Sequence, residues 1–300
     1  MGIEVLTFQV IGELFLENSK KARLFTSIFW ELTVSFINNK DPISCTVFIN
    51  LITSDKIKKV LSISEVAKKV RKENKFWVVF TGDSITSCEW VHPNWREIVE
   101  YVIKEETTKE LKGNWKTSEW GIRGFNFAYD GATTADILDK IGNILLVKPD
   151  LVISVMGGND SLFNIPVNKH AENLGKIIKK LTKSGSKVVW CTSTPSLRGK
   201  RNVEYEPYAR AIIKIAVDKS VQIIDLFNIY KKFPLEKLFT YTSEGNPVAG
   251  VEKGEIDPDH PNQLGNAYIA KVILKEVFLL DFNPEKYISD TLNGEKYPGY

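Results

Sequence analysis

The chain has 300 residues, enough to bury a substantial core, and its composition of 43% hydrophobic and 26% charged residues is that of an ordinary globular protein. A formal net charge of +3 is too small to argue for nucleic-acid binding, and the lysine-rich stretches are scattered without interleaved aromatic residues. Three cysteines far apart in the sequence indicate neither a zinc site nor a disulfide framework, so we expect no metal and no other cofactor.

The N-terminus "MGIEVLTFQVIGELFLENSKK" has no basic segment followed by a continuous apolar segment and a cleavage site, so it is not typical of a signal peptide. No uncharged apolar stretch approaches the roughly 18 residues that a membrane-spanning helix needs. Together with the sparse cysteines, these features predict a cytoplasmic protein without stable membrane insertion.

Residues 1–74 are rich in β-branched and aromatic residues. The runs "IEVLTFQVIGELFLE", "RLFTSIFWELTVSFI" and "CTVFINLI", with the turn-forming "NNKDP" between the last two, predict a small antiparallel meander. Ser62 and Glu65 form a capping-box pattern that predicts a short basic helix after it. We therefore expect a β-rich N-terminal appendage with a short helix, which could pack on the main domain, bind a polymer or mediate a homo-oligomer.

From residue 75 onward, short apolar runs alternate with helical patterns. The predicted strands are "FWVVF" (76–80), "GFNFAY" (124–129), "LVISVM" (151–156), "KVVWCT" (187–192) and "VQIIDL" (221–226). The segments between them repeat apolar residues every three or four positions, and "LGNAYIAKVILKEVFLL" closes the series as a helix. This alternation predicts an α/β domain over 75–282, a three-layer α/β/α sandwich around a parallel sheet of about five strands. The polar tail, 283–300, is expected to lie on the surface or to be disordered.

Polar residues follow the predicted strands where those strands end. Ser84 follows the first strand in "TGDSIT", Gly131 the second in "NFAYDGATT", and Asn159 the third in "MGGND". Asp257 stands three residues before His260 in "DPDHP", ahead of the last helix. Each has a structural alternative, as a turn, a positive-φ glycine or a helix cap. Their occurrence in order at one edge of a sheet instead predicts an active site.

These residue types fit acyl transfer. A serine hydroxyl becomes an effective nucleophile when a base such as His260 takes its proton, and Asp257 would orient that imidazole. The oxyanion that forms needs donors, which the backbone N–H groups of Ser84 and Gly131 and the side-chain amide of Asn159 would supply. We therefore predict Ser84, Asp257 and His260 as the catalytic triad.

"GDSIT", "NFAYDG", "GGND" and "DPDHP" together resemble the four signature blocks of the SGNH, or GDSL-like, hydrolase superfamily over residues 76–280. The resemblance implies a flavodoxin-like fold, a serine nucleophile at Ser84, oxyanion donors at Gly131 and Asn159, and an Asp257/His260 pair. Asn126, five residues before Gly131, also fits the second block.

Two features depart from that pattern. Pro258 replaces the usual glycine of the last block. Asp259 places a second acid beside His260, so Asp259 is an alternative to Asp257 as the acid of the triad. In addition, about 75 residues precede the nucleophile block, which normally lies close to the N-terminus.

Competing hydrolase classes fit less well. The α/β-hydrolase elbow requires Gly-x-Ser-x-Gly, and Thr86 occupies its second glycine position. No P-loop or HExxH spacing occurs, so His92 and His170 are expected to be helix-start or surface residues.

The substrate is less constrained than the reaction. Trp95 lies in a helical pattern and is expected in the core, whereas Trp90, Trp115 and Trp120 lie in polar sequence where an exposed indole could stack on a sugar ring. This favours a short-chain (acetyl) esterase acting on a carbohydrate or similar small ester. The alternatives are a lysophospholipase or thioesterase for longer acyl chains, or a non-catalytic binding module.

Overall fold

The computed structural model describes residues 61–300. The meander predicted for the N-terminal region lies outside the described residues. The strands are β1 (Phe76–Gly82), β2 (Ile122–Ala128), β3 (Leu151–Val155), β4 (Lys187–Cys191) and β5 (Gln222–Ile224). The helices are α1 (Ile63–Glu73), α2 (Ser84–Ser87), α3 (Trp95–Glu110), α4 (Trp115–Gly121), α5 (Thr134–Val147), α6 (Gly158–Leu162), α7 (Val167–Lys183), α8 (Gly199–Asp218), α9 (Leu226–Tyr230), α10 (Leu235–Leu238), α11 (Gln263–Phe278) and α12 (Pro284–Leu292).

The five strands of the described region form one parallel sheet in the order β2-β1-β3-β4-β5. β1 lies between β2 and β3, with Val78 opposite both Gly124 and Leu151. Helices cover both faces of the sheet, which confirms the predicted three-layer α/β/α sandwich. The chain runs from β1 to β2 on one side and then returns to β3 on the other side of β1, so a crevice opens at the carboxyl ends of β1 and β3.

Two apolar cores pack on the two faces of the sheet. Because side chains alternate along a strand, Phe80 of β1 joins the cluster formed with α1, α3, α11 and α12, whereas Val79 joins the one formed with α5, α7 and α8. Trp95 is fully buried in the first cluster, as predicted from its helical pattern. The centroid of its ring lies 5.2 Å from that of Phe80. Trp190 of β4 is fully buried in the second.

Helix α1 begins at the predicted capping box. The Ser62 hydroxyl accepts from the Glu65 N–H at 3.2 Å, and the Glu65 carboxylate accepts from the Ser62 N–H at 2.9 Å. Val66 and Val70 are buried in the same apolar cluster as α3 and α11. The side of α1 that carries them therefore belongs to the core of the sandwich.

The C-terminal segment contains a helix that the sequence analysis did not predict. Asn283 caps α12 by accepting from the Lys286 N–H at 3.1 Å, and Pro284 stands at its first position. Tyr287 and Ile288 are buried against the core, whereas most other residues of 283–300 are exposed or half-buried, so this segment lies along the surface as an ordered helix. None of the described helices is long and apolar enough to cross a membrane.

Candidate active site

Ser84 lies directly beyond the carboxyl end of β1, as the first residue of the short helix α2. Asp83 caps that helix by accepting a hydrogen bond from the Ile85 N–H at 3.2 Å. The abrupt change from strand to helix occurs at Gly82, whose φ of +150° is a conformation that side chains with a Cβ atom rarely adopt. The hydroxyl of Ser84 is thus presented at the mouth of the sheet crevice.

His260 and Asp257 come from the loop that precedes α11. His260 Nε2 lies 2.8 Å from Ser84 Oγ, and His260 Nδ1 lies 2.7 Å from Asp257 Oδ2. Asp257 Oδ1 accepts from the backbone N–H groups of Asp259 and His260 at 2.9 and 3.1 Å. The structure therefore brings together the serine, histidine and aspartate that the sequence analysis predicted as a triad. Asp259 interacts with Asp257 through its backbone N–H.

The charges of this pair reinforce one another. Burial raises the pKa of Asp257, but its hydrogen bonds with His260 and with the N–H groups of the turn outweigh that effect, so its pKa is lowered below 3.8. Burial lowers the pKa of His260, but the hydrogen bond and charge of Asp257, with smaller contributions from Asp259 and Asp83, raise it above 6.5 overall. An ionised Asp257 thus favours a proton on the imidazole, as a general base requires.

Gly131 and Asn159 line the same cavity as Ser84 and His260. Gly131 has a φ of +70° and is exposed in the loop between β2 and α5. Asn159 lies in α6, and its Nδ2 donates to the carbonyl of Ala132 at 3.1 Å, which joins the β3–α6 segment to the Gly131 loop. All of the predicted oxyanion donors therefore border the cavity that holds the serine hydroxyl.

The cavity has a volume of about 290 Å³. Most of its lining residues are polar or charged, including Ser193, Thr194 and Asn202. Apolar side chains also contribute, among them Trp90, whose indole is 50% exposed and lies edge-on to the His260 ring at 5.7 Å. The space beside Ser84 therefore presents both hydrogen-bonding groups and a flat apolar surface.

Trp115 and Trp120 are also exposed, at 55% and 60%, but they lie elsewhere. Both belong to α4, which ends at Gly121 immediately before β2 begins. They are therefore at the amino ends of the strands, opposite the candidate site, with the Lys116 ammonium 5.9 Å from each ring. Of the three tryptophans that were candidates for sugar stacking, Trp90 lines the cavity and the other two do not.

The two remaining histidines differ. His92 is exposed and lies 3.2 Å from Glu97, so its prediction as a surface residue is confirmed. His170 stands in the first turn of α7 but is fully buried, with Nδ1 3.0 Å from Asp160 Oδ1. The helix-start position of His170 agrees with the prediction, whereas its burial beside Asp160 of α6 has no local signal in the sequence.

Arg96 holds the end of α2, the helix that begins with Ser84, by a contact that the sequence analysis did not predict. Its Nη2 donates to the carbonyl of Ser87 at 2.6 Å and its Nε to that of Thr86, at the end of α2. An arginine in the first turn of α3 carries no sequence signal for this contact. Within residues 61–300, no cluster of three histidine, cysteine, aspartate or glutamate side chains could hold a metal ion.

Comparisons with known proteins support the fold and give the family. Two solved structures share the fold at low identity: a lipase/acylhydrolase from Enterococcus faecalis (23% identity, 67% of this chain and 95% of that one, TM-score 0.52) and an acetylxylan esterase from Geobacillus stearothermophilus (18% identity, 70% and 95%, TM-score 0.50). No curated protein matches. The model of the GDSL-like lipase/acylhydrolase family matches residues 80–268, which is more than half of the chain and contains every predicted site residue. The protein therefore belongs to the GDSL-like lipase/acylhydrolase family and is a carboxylic ester hydrolase of the SGNH type.

Proposed function

We propose that the protein is a serine esterase that removes short acyl groups, acetyl above all, from a carbohydrate or a similar small ester. Ser84 is the nucleophile, His260 the general base and acid, and Asp257 the residue that orients the imidazole. The hydrogen-bonded chain from Ser84 Oγ through His260 to Asp257, at 2.8 and 2.7 Å, is the observation that carries these roles.

In the first half of the reaction, Ser84 Oγ attacks the ester carbonyl carbon while His260 Nε2 takes the hydroxyl proton. Asp257 stabilises the imidazolium that forms. The carbonyl oxygen becomes an oxyanion, which accepts hydrogen bonds from the N–H groups of Ser84 and Gly131 and from the Asn159 amide. Collapse of the tetrahedral intermediate breaks the ester C–O bond, and His260 gives its proton to the departing alcohol.

In the second half, water replaces the alcohol beside His260. The imidazole takes a proton from water, and the resulting hydroxide attacks the acyl-serine carbonyl. The same three donors stabilise the second tetrahedral intermediate. When the bond to Ser84 Oγ breaks, His260 returns the proton to the serine, and the carboxylic acid leaves.

The size and lining of the cavity favour a small acyl group and a polar alcohol. At about 290 Å³ the cavity is at the lower end of ligand pockets, which run from about 300 to 1,000 Å³. A long acyl chain would need a continuous apolar trough, and the lining of this cavity includes polar side chains such as Ser193 and Asn202 beside its apolar ones. A sugar ring, with hydroxyl edges and a C–H face, matches the mixture of these groups with the Trp90 indole. One of the fold neighbours is named as an acetylxylan esterase, so this fold serves an acetylated sugar polymer in at least one protein.

The test is hydrolysis of p-nitrophenyl acetate, butyrate and octanoate, followed by acetylated xylooligosaccharides. We expect kcat/KM to fall from acetate to octanoate and the Ser84→Ala variant to lose activity on every ester. Ser289→Ala, which removes an exposed hydroxyl on α12, is the matched control and should retain full activity.

A preference for octanoate would favour the lysophospholipase or thioesterase alternative. A wild-type protein that neither hydrolyses any of these esters nor reacts with a fluorophosphonate would favour the binding-module alternative.

A further inference from the structure

Two buried carboxylates outside the proposed triad flank the segments that carry the oxyanion donors. Asp83 precedes Ser84 and Asp160 follows Asn159, and each side chain is almost completely buried. A buried carboxylate is costly unless hydrogen-bond donors surround it, so its partners show what it holds in place.

Asp83 connects the nucleophile helix to the segment that leads to Asn159. Its Oδ1 accepts from the Ile85 N–H and its Oδ2 from the Gly157 N–H, both at 3.2 Å. Gly157 is confined as well, because a Cβ atom there would come within 2.9 Å of Ile212 Cδ1. The distance between the start of α2 and the start of α6 is therefore fixed by one carboxylate.

Asp160 connects the Asn159 segment to the Gly131 loop. Its Oδ2 accepts from the Thr134 N–H at 2.9 Å and its Oδ1 from the Thr134 hydroxyl at 2.6 Å. Thr134 begins α5 only three residues after Gly131. His170 of α7 is fully buried with Nδ1 3.0 Å from Asp160 Oδ1, at ion-pair distance but without hydrogen-bond geometry.

We propose that Asp83 and Asp160 are positioning residues that hold the three oxyanion donors in register, Asp83 setting Ser84 against Asn159 and Asp160 setting Asn159 against Gly131. The proposal rests on the proposed roles of those donors. Stabilisation of an oxyanion depends on donors that are already aimed before the charge develops, so freedom between the three segments lowers the rate without weakening substrate binding.

The test uses the full chain and p-nitrophenyl acetate. An amide has one acceptor oxygen in place of two, so Asp83→Asn and Asp160→Asn each break one half of a bridge. We expect each to lower kcat at least about tenfold, with KM changed less than about twofold, because an intact donor is worth about a hundredfold to a thousandfold. In an Asn159→Ala background the same substitutions should cost less than about threefold, because residues that act as a unit are not additive.

Asp150→Asn is the matched control. Asp150 accepts from the Trp77 N–H at 2.7 Å, at the amino end of β1 and far from the donors. Its replacement should lower the melting temperature and leave kcat unchanged. A purely structural role for Asp83 and Asp160 would produce that same pattern in their own variants and would overturn the proposal, as would full additivity with Asn159→Ala.

If Asp160→Asn does not fold, Thr134→Val removes the hydroxyl partner and keeps the backbone one. An unchanged kcat in Thr134→Val would then overturn the role of Asp160. Ser84→Ala separates this result from failure of the proposed function. Should Ser84→Ala remain active, the serine mechanism itself is wrong; should it be inactive while the asparagine variants keep their kcat, only the positioning proposal is.

Discussion

Gly82 faces the backbone carbonyl of Val155 across strands β1 and β3, so closely that a Cβ atom at position 82 would overlap that oxygen. The same carbonyl accepts a hydrogen bond from Thr86 Oγ1 at 2.9 Å. The first strand therefore ends on glycine because the turn that carries Ser84 lies directly against the strand that leads to Asn159.

Gly82→Ala is expected to destabilise the protein by about 2 kcal/mol or more, since it combines overpacking with a φ that alanine avoids. Urea denaturation measures the loss. Gly142→Ala is the matched control: Gly142 lies inside α5 with open space around it, so alanine should add about 0.5 to 1 kcal/mol. Equal stabilities for the two variants would contradict the packing argument.

The two acids beside His260 should differ sharply. Asp257→Asn is expected to lower kcat about a thousandfold or more, because an amide donates to Nδ1 and favours the wrong tautomer. Asp259→Asn removes a side chain that makes no contact with the imidazole nitrogens and should stay within about threefold of the wild type. A large loss in Asp259→Asn with a small one in Asp257→Asn would reverse the assignment.

Activity should rise with pH as His260 loses its proton, because only the neutral imidazole accepts the serine proton. The pKa of His260 lies above 6.5, so the rise in kcat/KM should be centred above that pH. Asp259 helps to raise this pKa by its charge, and Asp259→Asn should therefore move the profile to lower pH. A profile that moves to higher pH, or does not move, would contradict this electrostatic link.

Stability should also depend on pH through Asp83. Burial raises the pKa of Asp83 from 3.8 to about 7, although the N–H groups of Ile85 and Gly157 act to lower it. The folded protein therefore binds this proton more tightly than the unfolded chain does. The resulting stabilisation is complete below about pH 4 and is lost as the pH rises to about 7, with a slope of up to about 1.4 kcal/mol per unit.

Urea denaturation of the wild type and Asp83→Asn at intervals from pH 4 to 8 isolates this contribution. The unfolding free energy of the wild type minus that of Asp83→Asn should fall as the pH rises toward 7, because the amide does not titrate. A difference that is constant over this range would show that the carboxyl does not titrate there.

Trp90→Ala should weaken binding of an acetylated xylooligosaccharide and raise KM about tenfold, equivalent to about 1.4 kcal/mol, because it removes the stacking surface beside His260. With p-nitrophenyl acetate, which lacks the sugar, kcat should change little. Trp115→Ala and Trp120→Ala are matched controls, since they remove equally exposed indoles at the other edge of the sheet. A comparable KM increase in those controls would argue against Trp90 as the sugar-stacking residue.

The arrangement of the site could be predicted because its signals are local and their meeting point follows from topology. Ser84 and His260 are 176 residues apart in the chain, yet each lies in a short turn-forming segment that the sequence shows, "GDS" for Ser84 and "DPDHP" for His260. Once the strands are taken as parallel, their carboxyl ends share one edge and the polar residues that follow them must converge there. Helix α12 also has a local signal, since "NP" at 283–284 is a typical helix start. The polar composition of the tail instead favoured a prediction of irregular structure.

Other features depend on long-range packing. The positions of Trp115 and Trp120 follow only from the direct junction of α4 with β2, because polar sequence around an indole indicates exposure without indicating an edge. His170 is buried beside Asp160 of α6 and the ring of Tyr208 of α8, and the sequence around a histidine in a first turn does not indicate either neighbour. Contacts between side chains on separate helices or strands do not produce a repeating pattern in the sequence, so the sequence does not predict them.

Asp257 and His260 belong to one tight turn, in which the same carboxylate binds the backbone of the turn and the imidazole. The acid and the base are therefore a single mechanical unit, whereas Ser84 is attached to a different part of the chain. Displacement of the loop before α11 would change the 2.8 Å separation between Ser84 and His260 while the pair itself stayed intact. Movement of this loop away from Ser84 would therefore break the Ser84–His260 hydrogen bond while the hydrogen bond between His260 and Asp257 remained.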